Sequence, residues 1–293
     1  MTRDPRPATT GPIEHISDTA RWVAMYRAFE SERPDARFSD PYARRLAGAR
    51  GEEIVRRMPR GLSMGWPMVV RTCLFDEIVM RRVRDPGLGV VLNLAAGLDA
   101  RPWRLELPAA LRWVDVDLPE ILEHKRALLE GERPSCRYQA EALDLRDAAA
   151  RRERLGALVR GASPGLAMSE GLLVYLEPDE VAALARDLHD LAELRWWIID
   201  LASPALLRWM ERSWGRVTAS GGAPFRFAPA EGTLFFAAHG WKEAEFRSTW
   251  EEARRLRREM PLAWFWRFIA RFAPRAQREQ WRRFSGTVLL ERT

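Results

Sequence analysis

After Pro86-Gly87 the chain changes rhythm, and this change limits the fold more than any other feature. Downstream, short apolar runs at residues 89–94, 112–116, 136–143, 166–169 and 196–201 alternate with stretches of helical periodicity near 120–130, 148–160 and 179–194. Runs this short and apolar suit strands covered on both faces. A helix between each pair supplies the crossover that parallel neighbours need. The pattern predicts βαβ units around an open, mostly parallel sheet. Two further strand candidates, 244–248 and 287–291, flank a long helical block. They bring the sheet to seven strands, with a late connection that suits an antiparallel last strand.

Residues 17–85 read as helical instead. Ser17 or Asp18 is a plausible N-cap, and Ala20, Val23, Ala24, Arg27 and Ala28 follow at helix spacing. Asp40-Pro41 opens a short helix that Gly48 should end. A longer one is predicted over 67–84, with Val70, Leu74, Ile78 and Val79 facing inward. The expected organisation is one compact unit. Residues 1–85 form an N-terminal helical lid, and 86–293 form a Rossmann-like domain with helical cap insertions at about 204–240 and 251–283.

Composition removes several function classes. Hydrophobic content of 47% with 30% charge is globular rather than disordered. The best apolar run, near 196–207, is broken by Asp200 and Pro204, so no membrane span is expected. The opening residues, MTRDPRPATTGPIEH, lack an apolar signal core and read as a polar arm. A soluble, cytoplasmic protein with no membrane partner is the expectation. Cys73 and Cys136 are too few for a disulfide framework. His15, His124, His189 and His239 are scattered, so no metal is expected. A net charge of +6 invites a nucleic-acid reading. Against it, Lys125 and Lys242 are the only lysines, and arginine is spread along the whole chain. Its densest stretch, 254–283, is interrupted by Glu259, Trp264, Phe265, Trp266 and Phe268, as in an amphipathic helix with a solvated face. No nucleic-acid partner is expected.

The stretch VVLNLAAGLDARPWRLELP begins as a buried strand and enters a tight turn. Ala95, Gly97 and Ala100 occupy the three glycine positions of a dinucleotide-type loop, and Asp115 and Asp117 end the next strand about 20 residues on, where a ribose-binding acid belongs. The middle glycine matters most where backbone must approach a pyrophosphate. A loop with one glycine therefore suits S-adenosylmethionine, which has no phosphate, better than a nicotinamide dinucleotide. ALDLRD places Asp144 just past the third strand, and MSEGLLVYLEPDE places Glu170 at the end of the fourth. A carboxylate beside a core strand costs several kcal/mol unless paired or hydrogen-bonded. Acids at consecutive strand ends thus look like one pocket rim.

FSDPYARRLAG, NLAAGLDARPWRLELP, VDVDLPEILEHKRALL, ALDLRD and SEGLLVYL, in that order, resemble the leucine carboxyl methyltransferase superfamily, and within it the bacterial polyketide-type O-methyltransferases. The resemblance runs from about Thr19 to Thr293 and is strongest between Val90 and Leu176. It implies an α/β, class I methyltransferase Rossmann-like sheet of seven strands, mostly parallel with the last antiparallel, plus N-terminal and inserted helical caps. It implies S-adenosyl-L-methionine as cofactor. Where the family turn reads N-L-G-A-G-x-D-T-R, this chain has Ala95 for the first glycine and Ala100 for the threonine. Carried across by position, Arg71 pairs with the methionyl carboxylate, and Gly97 and Asp99 lie along the methionyl moiety. Asp99 or Glu170 holds the ammonium, and Asp117 binds the ribose. Asp144 accepts from the adenine amino group, and Leu145 packs on the ring. The N-terminal arm acts as a lid, with Arg27 a weaker second carboxylate contact.

The implied reaction is methyl transfer to a carboxylate or hydroxyl oxygen of a small, polyketide-like molecule, in which the protein aligns reactants and excludes water. Tyr175 and His239 are candidate acceptor contacts, and each has an alternative as simple packing or a helix end. Trp209, Trp214, Phe225, Phe227, Trp264, Phe265 and Trp266 make the insertions aromatic, either as acceptor walls or as the core of a helical cap. Two other readings stay open: an NAD(P)-dependent oxidoreductase with a degenerate Rossmann loop, and a catalytically silent S-adenosylmethionine-binding protein.

Overall fold

The computed structural model describes residues 12–15, 17–84, 87–162 and 164–293. The polar arm at 1–11 and the expected boundary at 85–86 lie outside the described residues. Three helices lead: α1 (Ser17–Ser31), α2 (Ala43–Arg57) and α3 (Trp66–Val83). There follow β1 (Val90–Leu94), α4 (Arg101–Arg104), β2 (Arg112–Asp117), α5 (Pro119–Leu128), β3 (Arg137–Ala142), α6 (Ala148–Val159) and β4 (Gly165–Ser169). Then come α7 (Pro178–Asp190), β5 (Leu194–Ala202), α8 (Pro204–Ser220), α9 (Leu234–Ala237) and β6 (Trp241–Ser248). The chain closes with α10 (Thr249–Arg255), α11 (Ala263–Phe272), α12 (Arg275–Arg282) and β7 (Ser285–Arg292).

The seven strands form one sheet in the order β3-β2-β1-β4-β5-β7-β6. All neighbouring pairs from β3 to β5 are parallel, and β7 runs antiparallel to both β5 and β6. The seven-stranded sheet expected from the run pattern is therefore present, with the antiparallel last strand that the resemblance implies. Register aligns the strand ends: Leu94 of β1 lies opposite Val116 of β2 and Ser169 of β4. The residues after β1, after β4 and at the end of β2 so converge on one edge, at the point where the strand order reverses. Ligands of open α/β sheets bind at such an edge.

Both sheet faces are covered, which is why the inner strands read as unbroken apolar runs. Val90, Leu92, Leu94, Val114 and Val116 pack with α6 and α7 on one face. Val91, Trp113, Leu166 and Met168 pack with Phe75, Ile78 and Val79 of α3 on the other. Burying Trp113 completely contributes on the order of 3 kcal/mol. A third cluster joins α1 and α2 to Leu98 and Ala100 of the turn after β1 and to Trp214 of α8. The leading helices thus share their core with the turn they cover.

The second helix keeps its expected stop. Gly48 breaks the helical run with φ 61° and ψ −174°, and a second helical segment then runs on to Arg57. At Gly51 a Cβ would sit 2.9 Å from the carbonyl oxygen of Arg21, so glycine lets this second segment approach α1 closely.

Candidate functional site

A cavity of about 260 Å3 opens at the reversal edge, floored by the β1 turn and roofed by α1. Ala95 and Gly97 both have φ 52°, in the left-handed region that disfavours side chains. Neighbouring bonds hold this turn. Ala96 N–H donates to Val116 O (3.2 Å), Asp99 N–H to Ala96 O (3.0 Å), and Gly97 N–H to Asp117 Oδ2 (2.6 Å). A Cβ on Gly97 would lie 3.2 Å from that of Ala20, so α1 rests directly on the turn. Arg27 fastens the roof: its Nη2 donates to Leu98 O at 2.5 Å and its Nε to Asp40 at 2.9 Å.

Asp117, at the end of β2, lines the cavity and accepts from two backbone amides, Gly97 N–H and Leu118 N–H (2.7 Å). Burial lifts its carboxyl above the ordinary value, and the two amides only partly offset this. Asp115 has a different fate. It is fully buried and holds Lys125 Nζ (2.5 Å), Tyr138 Oη (3.0 Å), Trp113 Nε1 (2.9 Å) and Asn93 Nδ2 (2.9 Å). Of the two acids in VDVD, Asp117 faces the cavity and Asp115 is core.

Beside Asp117 lies a network of alternating charge. Arg101, 2% exposed, reaches Asp76 of α3 (2.6 Å), Asp99 of the turn (2.8 Å) and Glu170 after β4 (2.8 Å). Burial alone would raise the Asp99 carboxyl; Arg101, followed by Lys125, reverses this and holds it below the usual carboxylate range. Arg71 extends the network, its Nε donating to Glu170 Oε1 and its Nη1 to Asp200 Oδ2, both at 3.1 Å. Asp200 also accepts Gly171 N–H at 2.6 Å. At Gly171, φ 69°, a Cβ would stand 3.2 Å from Arg71 Nη1, so glycine there leaves room for the guanidinium.

The structure brings Arg71, Gly97, Asp99, Asp117, Glu170 and Tyr175 to one cavity, with Arg27 at its roof. It does not bring Asp144, Leu145 or His239 there. The Asp144 carboxylate is held by Arg146, with Nη2 at 2.8 Å, in an exposed turn, while Leu145 packs against the core beside α6. His239 follows α9, faces Phe235 with ring centroids 5.3 Å apart, and lines neither cavity. Its place agrees with the helix-end alternative and lies apart from both cavities. Tyr175 stacks on Phe225 at 5.6 Å, and burial pushes its hydroxyl up to about 12, so it stays protonated at neutral pH. Two site residues escaped sequence reasoning, Arg101 and Asp200. The available signals were an arginine two residues past the turn's acid and an acid inside the apolar run WWIIDLA.

A second cavity of about 670 Å3 adjoins the first and shares Pro67, Met68, Leu206, Met210, Trp214 and Ser285 with it. Trp66, Trp209, Trp250, Trp266 and Trp281 add to its walls, and Arg60 is the only charged residue among them. The insertion aromatics thus divide. Trp209, Trp214 and Trp266 face this cavity and Phe225 and Phe227 the first, while Trp264 and Phe265 face solvent. Among the described residues no cluster of metal-ligating side chains occurs, and no helix is long and apolar enough to cross a membrane.

This geometry has known counterparts. Residues 20–189 match the family described as leucine carboxyl methyltransferase. A protein of Saccharopolyspora erythraea named "putative S-adenosyl-L-methionine-dependent methyltransferase" is 37% identical over 192 residues, covering 61% of this chain and 65% of its own length. The chain thus spans just under two thirds of that relative. A relative of the same name from Mycobacterium sp. (strain KMS) is 31% identical over 276 residues, 84% of this chain and 89% of its own. Among solved structures, a methyltransferase-named protein from Thermobifida fusca aligns over 100% of both chains with TM-score 0.60 at 16% identity. A DUF574 family protein from Streptomyces avermitilis aligns over 94% and 97% with the same score at 13% identity. These two share the class I methyltransferase fold, and the residue-level match is decisive: the chain belongs to the leucine carboxyl methyltransferase family.

Proposed function

We propose that this protein is an S-adenosylmethionine-dependent methyltransferase acting on an oxygen of a small apolar molecule. The observation that carries the reading is the charge of the first cavity. Its walls hold three cations, Arg27, Arg71 and Arg101, against four carboxylates, Asp99, Asp117, Glu170 and Asp200. That excess of one negative charge complements a ligand with one carboxylate, one ammonium and one sulfonium. It opposes a dinucleotide, whose pyrophosphate would sit among carboxylates in a poorly screened pocket. The cradle at Gly97 and Gly171, each at positive φ, fits the same ligand.

In this reading Arg71 orients the methionyl carboxylate with its remaining Nη2, Glu170 and Asp200 receive the ammonium, and Asp117 accepts from the ribose hydroxyls. Leu118 and Ile121, adjacent to Asp117 on the wall, take the apolar base. Adenine recognition by Asp144 requires Arg146 to release it. S-adenosylmethionine supplies a sulfonium methyl, so an acceptor lone pair forms the new C–O bond while the C–S pair returns to sulfur. Alignment and water exclusion are what the chain contributes.

The adjoining tryptophan-lined cavity is the acceptor room. Its walls offer no His, Lys or carboxylate as a base, and Tyr175 keeps its proton. This favours an acceptor oxygen already ionised at neutral pH, a carboxylate, over a hydroxyl. Calorimetry with S-adenosylhomocysteine and with NAD is the test of the cofactor. Micromolar binding of the first and none of the second is expected; the opposite result would end the reading. Mass detection of a methyl ester across a panel of apolar carboxylic acids tests the acceptor.

A further inference from the structure

Helix α11 turns two different faces outward and inward. Trp266 and Ala270 line the second cavity, Trp266 with 48% of its surface still exposed, whereas Trp264, Phe268 and Phe272 are 63%, 57% and 75% exposed. Those three recur every four residues and form a single apolar stripe along the helix. Large aromatic side chains left in water on one face mark a surface that meets something apolar.

The same region carries the chain's positive charge. Residues 254–283 contain ten arginines and two acids, Glu259 and Glu279, a net +8 against +6 for the whole chain, so the remainder is at −2. Arg271, Arg275 and Arg278 are exposed and have no ion-pair partner among the described residues. An apolar stripe and unpaired arginines on adjoining helices are the two components of an interfacial anchor, the first for the acyl boundary and the second for acidic headgroups.

We propose that α11 and α12 dock the protein on an anionic lipid bilayer, with Trp264, Phe268 and Phe272 entering the interface and Arg271, Arg275 and Arg278 meeting the headgroups. A second copy of the chain is the poorer occupant, because it would set the exposed, unpaired Arg271, Arg275 and Arg278 of one copy against those of the other. Single-stranded nucleic acid is poorer too. Phe268 and Phe272 lie edge to face, 5.2 Å apart with planes at 71°, so no base inserts between them, and part of each ring is taken up by the other. The absence of a spanning helix among the described residues does not bear on a helix lying in the interface plane. Since the inner side of α11 walls the second cavity, and resting on the acceptor reading above, the acceptor is a bilayer-dissolved apolar molecule.

Co-sedimentation of the full chain with vesicles tests this, using phosphatidylcholine alone and phosphatidylcholine with about one third phosphatidylglycerol. Pelleting with the anionic vesicles only, weakened by added salt, is expected. Combined Trp264→Ser, Phe268→Ser and Phe272→Ser should cut binding about tenfold or more, as should Arg271→Glu, Arg275→Glu and Arg278→Glu together. Both variants should keep the wild-type rise in Tm with S-adenosylhomocysteine, which shows an intact fold and cofactor site. A wild type that stays in the supernatant overturns the proposal, and so do variants that pellet like the wild type. Oligonucleotide binding or dimerisation that the variants abolish, without vesicle binding, overturns it in favour of those occupants. Loss of the Tm response in the wild type would strike the cofactor reading and leave the vesicle result standing.

Discussion

Replacing Ala95 by glycine should stabilise the protein and leave cofactor binding unchanged. Ala95 sits at φ 52°, where an L-residue with a Cβ is disfavoured by about 1–2 kcal/mol. Glycine removes that cost but frees the unfolded chain, which returns about 0.4–1 kcal/mol. The net gain is about 0.5–1 kcal/mol, or roughly 1–3 °C in Tm for a chain of this size. The side chain contributes only a methyl to the cavity wall, and the hydrogen bonds that shape the turn come from Ala96, Gly97 and Asp99. Affinity for S-adenosylhomocysteine should therefore stay within about twofold, a few tenths of a kcal/mol. Urea unfolding measures the first quantity, provided the m-value is unchanged, and calorimetry the second. Gly97→Ala is the internal contrast. It has the same φ, and its Cβ would lie 3.2 Å from Ala20, so it should lose about 1–2 kcal/mol and loosen the α1 roof. A lower midpoint for Ala95→Gly, or a tenfold change in its affinity, would refute the argument that neighbours, not residue 95, set the turn.

Asp117→Asn should weaken S-adenosylhomocysteine about tenfold or more, because charge-assisted acceptance from hydroxyls is worth about 1.5–3 kcal/mol; titration calorimetry reads this. The same carboxyl, lifted by burial, binds in its ionised form, so wild-type affinity should fall with decreasing pH and begin to fall above the ordinary aspartate range. Asp117→Asn should flatten that dependence, and an unchanged profile would assign it to another group. Asp115→Asn should instead cost about 3–5 kcal/mol of folding stability by stranding Lys125, seen as a lower unfolding midpoint. Arg101→Met should destabilise by a similar amount, since Asp76, Asp99 and Glu170 lose their shared cation. If it keeps wild-type stability, the network is not the brace described.

The fold was legible because its signals are local and periodic. Unbroken apolar runs report burial on both faces, and they located every inner strand to within a few residues. The break of α2 at Gly48 was legible as a local stop, whereas the second segment that follows it to Arg57 was not, since its close approach to Arg21 at Gly51 is a tertiary contact. Site acids at strand ends could be read for the same positional reason as the strands, and Asp117 and Glu170 stand where expected. Asp144 shows the limit: its position past β3 is right, but Arg146 two residues on takes its carboxylate. Such competition depends on side-chain geometry that spacing does not encode. Arg101 and Asp200 were missed for a related reason: each carries a local signal, but the segments it joins are set by tertiary geometry.

The single-glycine turn can now be understood through those same partners. Strained backbone persists where its surroundings over-determine it. Here Asp117 fixes Gly97, Asn93 and Arg101 fix Asp99, and Leu98 is held from above by Arg27. With both flanks pinned, residue 95 adopts positive φ whether or not its side chain favours it. A first glycine is then a convenience for stability rather than a requirement for binding. The geometric demand falls instead on Gly97 and Gly171, where a Cβ would meet α1 or Arg71. It follows that substitutions at these two positions should disturb the cofactor site, whereas Ala95 records only a modest, tolerated strain.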